Sequence, residues 1–101
     1  MLILALEIAE DGAGSSQFTP EIAGAEAGRV WDLLQAGTIR ELYFRDDAPA
    51  AVLVLEAVDV VNAQKTLASL PIVAAGLISF EIVPLRAYPG FARLFGSTRP
   101  S

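Results

Sequence analysis

The sequence contains no cysteine and no histidine. Without cysteine there is no disulfide framework and no thiolate chemistry. Without histidine the commonest metal ligand and the commonest neutral-pH acid–base group are both missing. That argues against a zinc site and rules out Ser-His-Asp and Cys-His catalysis. Positive charge is also scarce. Seven Lys and Arg stand against twelve Asp and Glu, for a net charge of −5. Nucleic acid and anionic membrane surfaces call for the opposite balance. The longest apolar stretch, Leu67 to Phe80, is broken by Ser69, Pro71, Gly76 and Ser79. It falls short of the ~20 residues that cross a bilayer. The apolar start, MLILALEIAEDG, has no basic leader and is interrupted at Glu7, so it does not read as a signal peptide. A cytoplasmic location is expected. No phosphate-cradling P-loop and no GxGxxG occurs, and GAG at 12–14 is too short for either.

What the chain does have is apolar surface. It is 101 residues long, enough for one domain, and 53% hydrophobic against 19% charged. Soluble domains average about 45–50% and about 25%. A chain of this size has little interior in which to hide the excess, and a subunit interface is the simplest place for it.

The pattern along the chain predicts β-α-β-β-α-β. Leu2 to Ile8 reads as a strand, followed by a loop at 11–17. Thr19 is a helix cap, Pro20 suits the first helical position, and Gly37 ends the helix. Strands over Thr38–Arg45 and Ala51–Val58 flank a turn at 46–49 and form a hairpin. Asp59 caps a second helix to about Leu70, where Pro71 stops it. Leu77 to Leu85 is the last strand. This is an α+β, ferredoxin-like order: a four-stranded antiparallel sheet with two helices on one face. Residues 1–101 form the single domain, with 86–101 as an extension. Its Tyr88, Phe91, Leu94 and Phe95 share one side of a short helix and are expected over the pocket or on a partner.

Alternation assigns the two faces of the sheet. Leu2, Leu4, Leu6 and Ile8 are expected under the helices, with Leu42, Phe44, Leu53, Leu55, Ile78, Phe80 and Ile82. The reverse face would carry Ile3, Ala5 and Glu7, then Ile39, Glu41, Tyr43 and Arg45. Val52, Val54, Glu56, Val58, Leu77, Ser79, Glu81 and Val83 complete it. That face is too apolar to stay wet and too charged for a core. A sheet-on-sheet homodimer with a charged rim accounts for the mixture.

One pair breaks the apolar pattern. Arg40 shares the parity of Leu42 and Phe44, and Glu26 shares a helix stripe with Ile22 and Val30. Both are therefore expected between helix and sheet. A structural ion pair is one reading. The other is a pocket in which Arg40 grips a substrate carboxylate and a desolvated Glu26 moves a proton. Glu41 and Arg45 read as interface ion pairs. Glu7, Glu56 and Glu81 come from separate strands without a loop motif, so they read as paired or rim carboxylates rather than a cation site. Tyr43 and Tyr88 are candidate ligand contacts. Trp31 reads as packing.

The stretches EAGRVWDLLQAGTIRELYFR (26–45), AAVLVLEA (50–57), TLASLP (66–71) and ISFEIVPL (78–85) resemble the muconolactone isomerase-like proteins. The resemblance implies a dimeric α/β barrel, higher oligomers of dimers, and no cofactor or metal. It implies proton transfer within an unsaturated lactone that carries a carboxylate. Glu26 falls on the family's helix glutamate and Arg40 on its strand arginine. The chain departs from that pattern in having Glu41 and Tyr88 where the family has histidines. It also has two extra residues within 72–77, and its YPGFARLF tail has no counterpart. The expectation is a cofactor-independent, isomerase-like enzyme with Glu26 catalytic and Arg40, Tyr43 and Tyr88 binding substrate. The alternative is a non-catalytic binding or assembly module built on the same pocket.

Overall fold

The computed structural model describes residues 1–10 and 14–96. Residues 11–13 of the expected loop, which include most of the GAG at 12–14, and the last five residues of the tail therefore lie outside the described residues. Strand β1 covers Leu2–Ala9, helix α1 Pro20–Gln35, β2 Ile39–Phe44 and β3 Ala51–Glu56. Helix α2 is Val60–Ala68, α3 is Pro71–Ala74, and β4 is Ile78–Pro84. The strands form one antiparallel sheet in the order β2-β3-β1-β4. That is the ferredoxin-like arrangement expected from the chain order.

The helix boundaries follow from local chemistry. Thr19 Oγ1 accepts a hydrogen bond from the Ile22 N–H at 3.3 Å, and Pro20 opens α1. Gly37, at φ 79°, turns the chain out of α1 towards β2. Asp59 Oδ1 accepts from the Asn62 N–H at 2.8 Å and caps α2. Pro71 does end α2, but it also opens the further turn α3. A proline fits that first helical position as well as it breaks a helix interior.

The core lies between helices and sheet: Ile3, Ala5, Leu53 and Leu55 below, Leu33, Ala63, Leu67 and Leu70 above. This corrects the face assignment for β1. Ile3 lies opposite Leu55, and Ala5 opposite both Leu53 and Ile82. Residues directly opposite in a sheet share a face. Ile3, Ala5 and Glu7 therefore point to the helices, and Leu2, Leu4, Leu6 and Ile8 point away. Ile39 and Leu77 are corrected too: both are buried, at 1% and 4% exposed, with Ile39 opposite Leu55 on the helix side. A register shift between Ile39 and Glu41 leaves Arg40 as the extra residue of a β-bulge. Beyond it Leu42 pairs with Leu53 and Phe44 with Ala51, so they keep the expected face. Trp31, expected to pack, is 61% exposed on α1.

The outward sheet face carries Leu2, Leu4, Leu6, Ile8, Val52, Val54 and Val83, with Glu41, Glu56 and Glu81 around them. Past β4 the chain runs out as an arm ending in a 3₁₀ helix, Gly90–Phe95. Tyr88, Phe91, Leu94 and Phe95 on it are all exposed. The radius of gyration is 16.7 Å. A compact domain of this length has about 13 Å, so the arm extends well beyond the body. No helix among the described residues is long and apolar enough to cross a membrane.

Candidate functional site

A cavity of about 650 Å³ lies between the helix layer and one end of the sheet, where β1 and β2 finish and β3 and β4 begin. Its floor is buried aliphatic surface from Leu53, Leu70, Leu77 and Ile78. Val30, Ile72 and Phe80 form half-buried walls. Exposed Phe18, Leu42, Phe44 and Pro49 mark the side that opens to solvent. The volume suits a small organic molecule, and an apolar lining with few polar groups is the usual make-up of such sites.

Two carboxylates reach this space from opposite layers. Glu26 descends from α1, on the same half-buried stripe as Ile22 and Val30. Its Oε1 accepts the Ile72 N–H at 3.0 Å. That N–H belongs to the first turn of α3, whose capping position is Leu70, a residue with no side-chain oxygen. Glu26 therefore caps α3 from another helix and ties the two together. Burial raises the Glu26 pKa above its ordinary value; the Ile72 N–H pulls it down and the charge of Glu7 pushes it up.

Glu7 rises from the sheet. Its Oε1 accepts the Ala51 N–H at 2.9 Å, which fixes it across β1 and β3. The face assignment had put Glu7 on the outer side with Glu41, Glu56 and Glu81. It is the cavity residue the alternation missed. The register that would have found it, Glu7 opposite Phe80, is a long-range pairing that no local pattern carries. Glu10 adds a third, exposed carboxylate to the lining.

The other candidates separate from Glu26. Arg40 is exposed at the bulge and is not part of the cavity wall, so the expected Glu26–Arg40 pair does not form. The extra residue in β2 breaks the alternation on which that pairing relied. Tyr43 borders the cavity, but it lies opposite Val52 on the outward face and its hydroxyl donates to Glu41 Oε1 at 2.6 Å. Tyr88 is on the arm, edge-on to Phe91 with ring centres 5.0 Å apart, and does not line the cavity. Arg45 is held by Asp47 through two hydrogen bonds of 2.8 and 2.7 Å. Among the described residues, no group of three or more acidic side chains is placed to hold a metal ion.

No protein-family model matches the chain, and no curated protein does. Solved structures do. The chain is similar to muconolactone isomerase, with a TM-score of 0.68 and 21% identity over 88% of this chain and 92% of that one. It is also similar to 5-chloro-2-hydroxyhydroquinone dehydrochlorinase from Burkholderia phenoliruptrix AC1100, solved in complex with 2,5-dihydroxybenzoquinone. There the TM-score is 0.62 with 20% identity, over 85% of this chain and 94% of that one. The chain shares the fold of these two proteins, as the sequence resemblance implied. Identity this low carries the fold and not the reaction.

Proposed function

We propose that this protein is a cofactor-independent, isomerase-like enzyme that moves a proton within a small unsaturated ring compound such as a lactone. Glu26 is the acid–base group. The observation that supports it most is the setting of that carboxylate: half-buried on an apolar cavity, with one oxygen anchored by the Ile72 N–H and its pKa raised by desolvation. No hydrogen bond among the described residues engages its other oxygen. A carboxyl whose pKa moves towards neutrality is a better proton shuttle than one left in water.

In the forward step Glu26 takes a proton from the carbon beside the ring carbonyl. The C–H electron pair passes into the conjugated system as an enolate. The same carboxyl then returns the proton at the far end of that system, so the double bond moves and the enzyme is restored. Arg40, expected to grip a carboxylate on the substrate, is left out of this scheme because it lies away from the cavity within its own subunit.

The protein is proposed to act as a homodimer. The outward sheet face supports this: Leu2 and Ile8 are 41% and 47% exposed beside Val52, Val54 and Val83. Among the described residues of a single subunit nothing covers them, and an apolar face with a charged rim suits a sheet-on-sheet interface. The arm is assigned to the partner for the same reason, and Tyr88 would reach a cavity only from there.

The test is proton exchange. In deuterated water the protein should accelerate exchange and double-bond migration in α-angelica lactone, followed by proton NMR. Glu26→Gln should abolish this while the subunit stoichiometry stays unchanged. A Glu26→Gln protein with full activity refutes the assignment.

A further inference from the structure

The cavity wall carries Glu7, Glu10 and Glu26 and, among the described residues, no lysine or arginine. Each of the two inner carboxylates has one oxygen committed to a backbone N–H, Ala51 for Glu7 and Ile72 for Glu26. When ionised, the remaining oxygens can accept hydrogen bonds but donate none. The nearby arginines are engaged or directed elsewhere. Arg45 is paired with Asp47, Arg29 donates through Nε to Ser69 Oγ at 3.1 Å, and Arg40 is exposed at the bulge.

We propose that the cavity selects ligands that donate hydrogen bonds and carry no negative charge, a compact ammonium group being the best of these, and that Glu7 sets this preference. The inference rests on reading the cavity as a small-molecule site. It departs from the sequence resemblance, which implies a substrate with a carboxylate. An entering anion would meet two like charges across an apolar wall that screens them poorly. A donor would satisfy the open oxygens, and a cation would also relieve the repulsion between Glu7 and Glu26. The rings of Phe18, Phe44 and Phe80 line the same space, and aromatic faces attract cations. Charge selection thus comes from two elements that the fold brings together, β1 and α1.

Three probes of one shape and different charge test this: benzylamine, benzyl alcohol and benzoate, titrated calorimetrically into the full-length protein at pH 7.5. Benzylamine should bind best and benzoate worst, with about a tenfold or larger gap between those two. The gap should shrink with added salt. In Glu7→Gln it should narrow severalfold, since the amide keeps the bond to Ala51 and removes the charge. Circular dichroism checks that this variant is folded, and the salt series on the unaltered protein gives an independent readout. Benzoate binding as tightly as benzylamine, or more tightly, overturns the inference while leaving the cavity a small-molecule site. Failure of all three probes to bind overturns that underlying reading and the inference with it.

Discussion

Replacing Glu26 by alanine and by glutamine separates its structural duty from its chemical one. The Ile72 N–H is at the start of α3 and has the Glu26 carboxylate as its acceptor. Glutamine offers a carbonyl oxygen in the same place. Alanine offers none and leaves a half-buried donor without a partner, which costs about 1–2 kcal/mol. Both residues are strong helix formers, so α1 itself changes by only about 0.3 kcal/mol in alanine's favour. In a domain of this size, 1 kcal/mol corresponds to roughly 4–8 °C in Tm. Glu26→Ala should therefore melt at least about 3 °C below Glu26→Gln, measured at one fixed protein concentration because association adds to apparent stability.

The two readouts also differ with pH. The folded Glu26 pKa lies above the ordinary 4.5, mainly through desolvation. From about pH 4.5 up to that raised value, the native state holds more protons than the unfolded chain. Stability therefore falls as pH rises through this window and is level on either side. Glutamine does not titrate, so Glu26→Gln should gain on the unaltered protein as pH climbs through the window, and then hold its advantage. Urea unfolding at several pH values measures both effects. If Glu26→Ala proves as stable as Glu26→Gln throughout, the cap on α3 contributes nothing. Glu26 would then have no structural role to set beside the proposed catalytic one.

Three further outcomes follow from the same geometry. Glu7→Gln removes a charge that raises the Glu26 pKa, so carbon-13 NMR titration of the Glu26 carboxyl should show its midpoint moving to lower pH; an unmoved midpoint would mean that the two carboxylates do not interact. Gly28→Ala and Gly37→Ala should have opposite signs in urea unfolding: an added methyl at Gly28 meets nothing within 4 Å and saves helix entropy, a gain of about 0.5–1 kcal/mol, whereas Gly37 at φ 79° should lose about 1–2 kcal/mol. Leu4→Glu on the outward sheet face should convert the proposed homodimer to folded monomers, read by light scattering with size-exclusion chromatography; a dimer unaffected at micromolar concentration would place the interface elsewhere.

The element order was legible because its signals are local. Thr19, Pro20 and Gly37 mark α1, Asp59 and Pro71 bound α2, and each acts within a few residues of where it stands in the chain. The stripe Ile22, Glu26, Val30 is likewise a property of a single helix, and it put Glu26 on the correct side. The resemblance carried in segments 26–45 and 78–85 pointed to the shared fold for a similar reason, since strand and helix lengths survive when side chains change.

What stayed hidden was the relation between strands. In β1 both alternating sets are apolar, Leu2-Leu4-Leu6-Ile8 on one side and Ile3-Ala5 on the other, so hydrophobicity cannot say which set is inside. The pairing with β3 and β4 decides it. Ile3 lies opposite Leu55 and Ala5 opposite Leu53 and Ile82 beneath the helix layer, and the leucines are left for the outer face. Glu7 goes inward with Ala5, a position that looks forbidden to a carboxylate until the cavity and the Ala51 N–H are present to receive it. Arg40 fails in the opposite sense. It keeps the right parity by counting, yet one inserted residue at the bulge cancels the count. The site that results has two carboxylates where counting gave a carboxylate and a guanidinium. Its net charge is therefore negative where the expected pair would have cancelled, although the fold around it is the one expected. The chemistry of this cavity is set by the register of β1 and the bulge in β2, two features that move side chains from one face to the other without altering a single helix or strand.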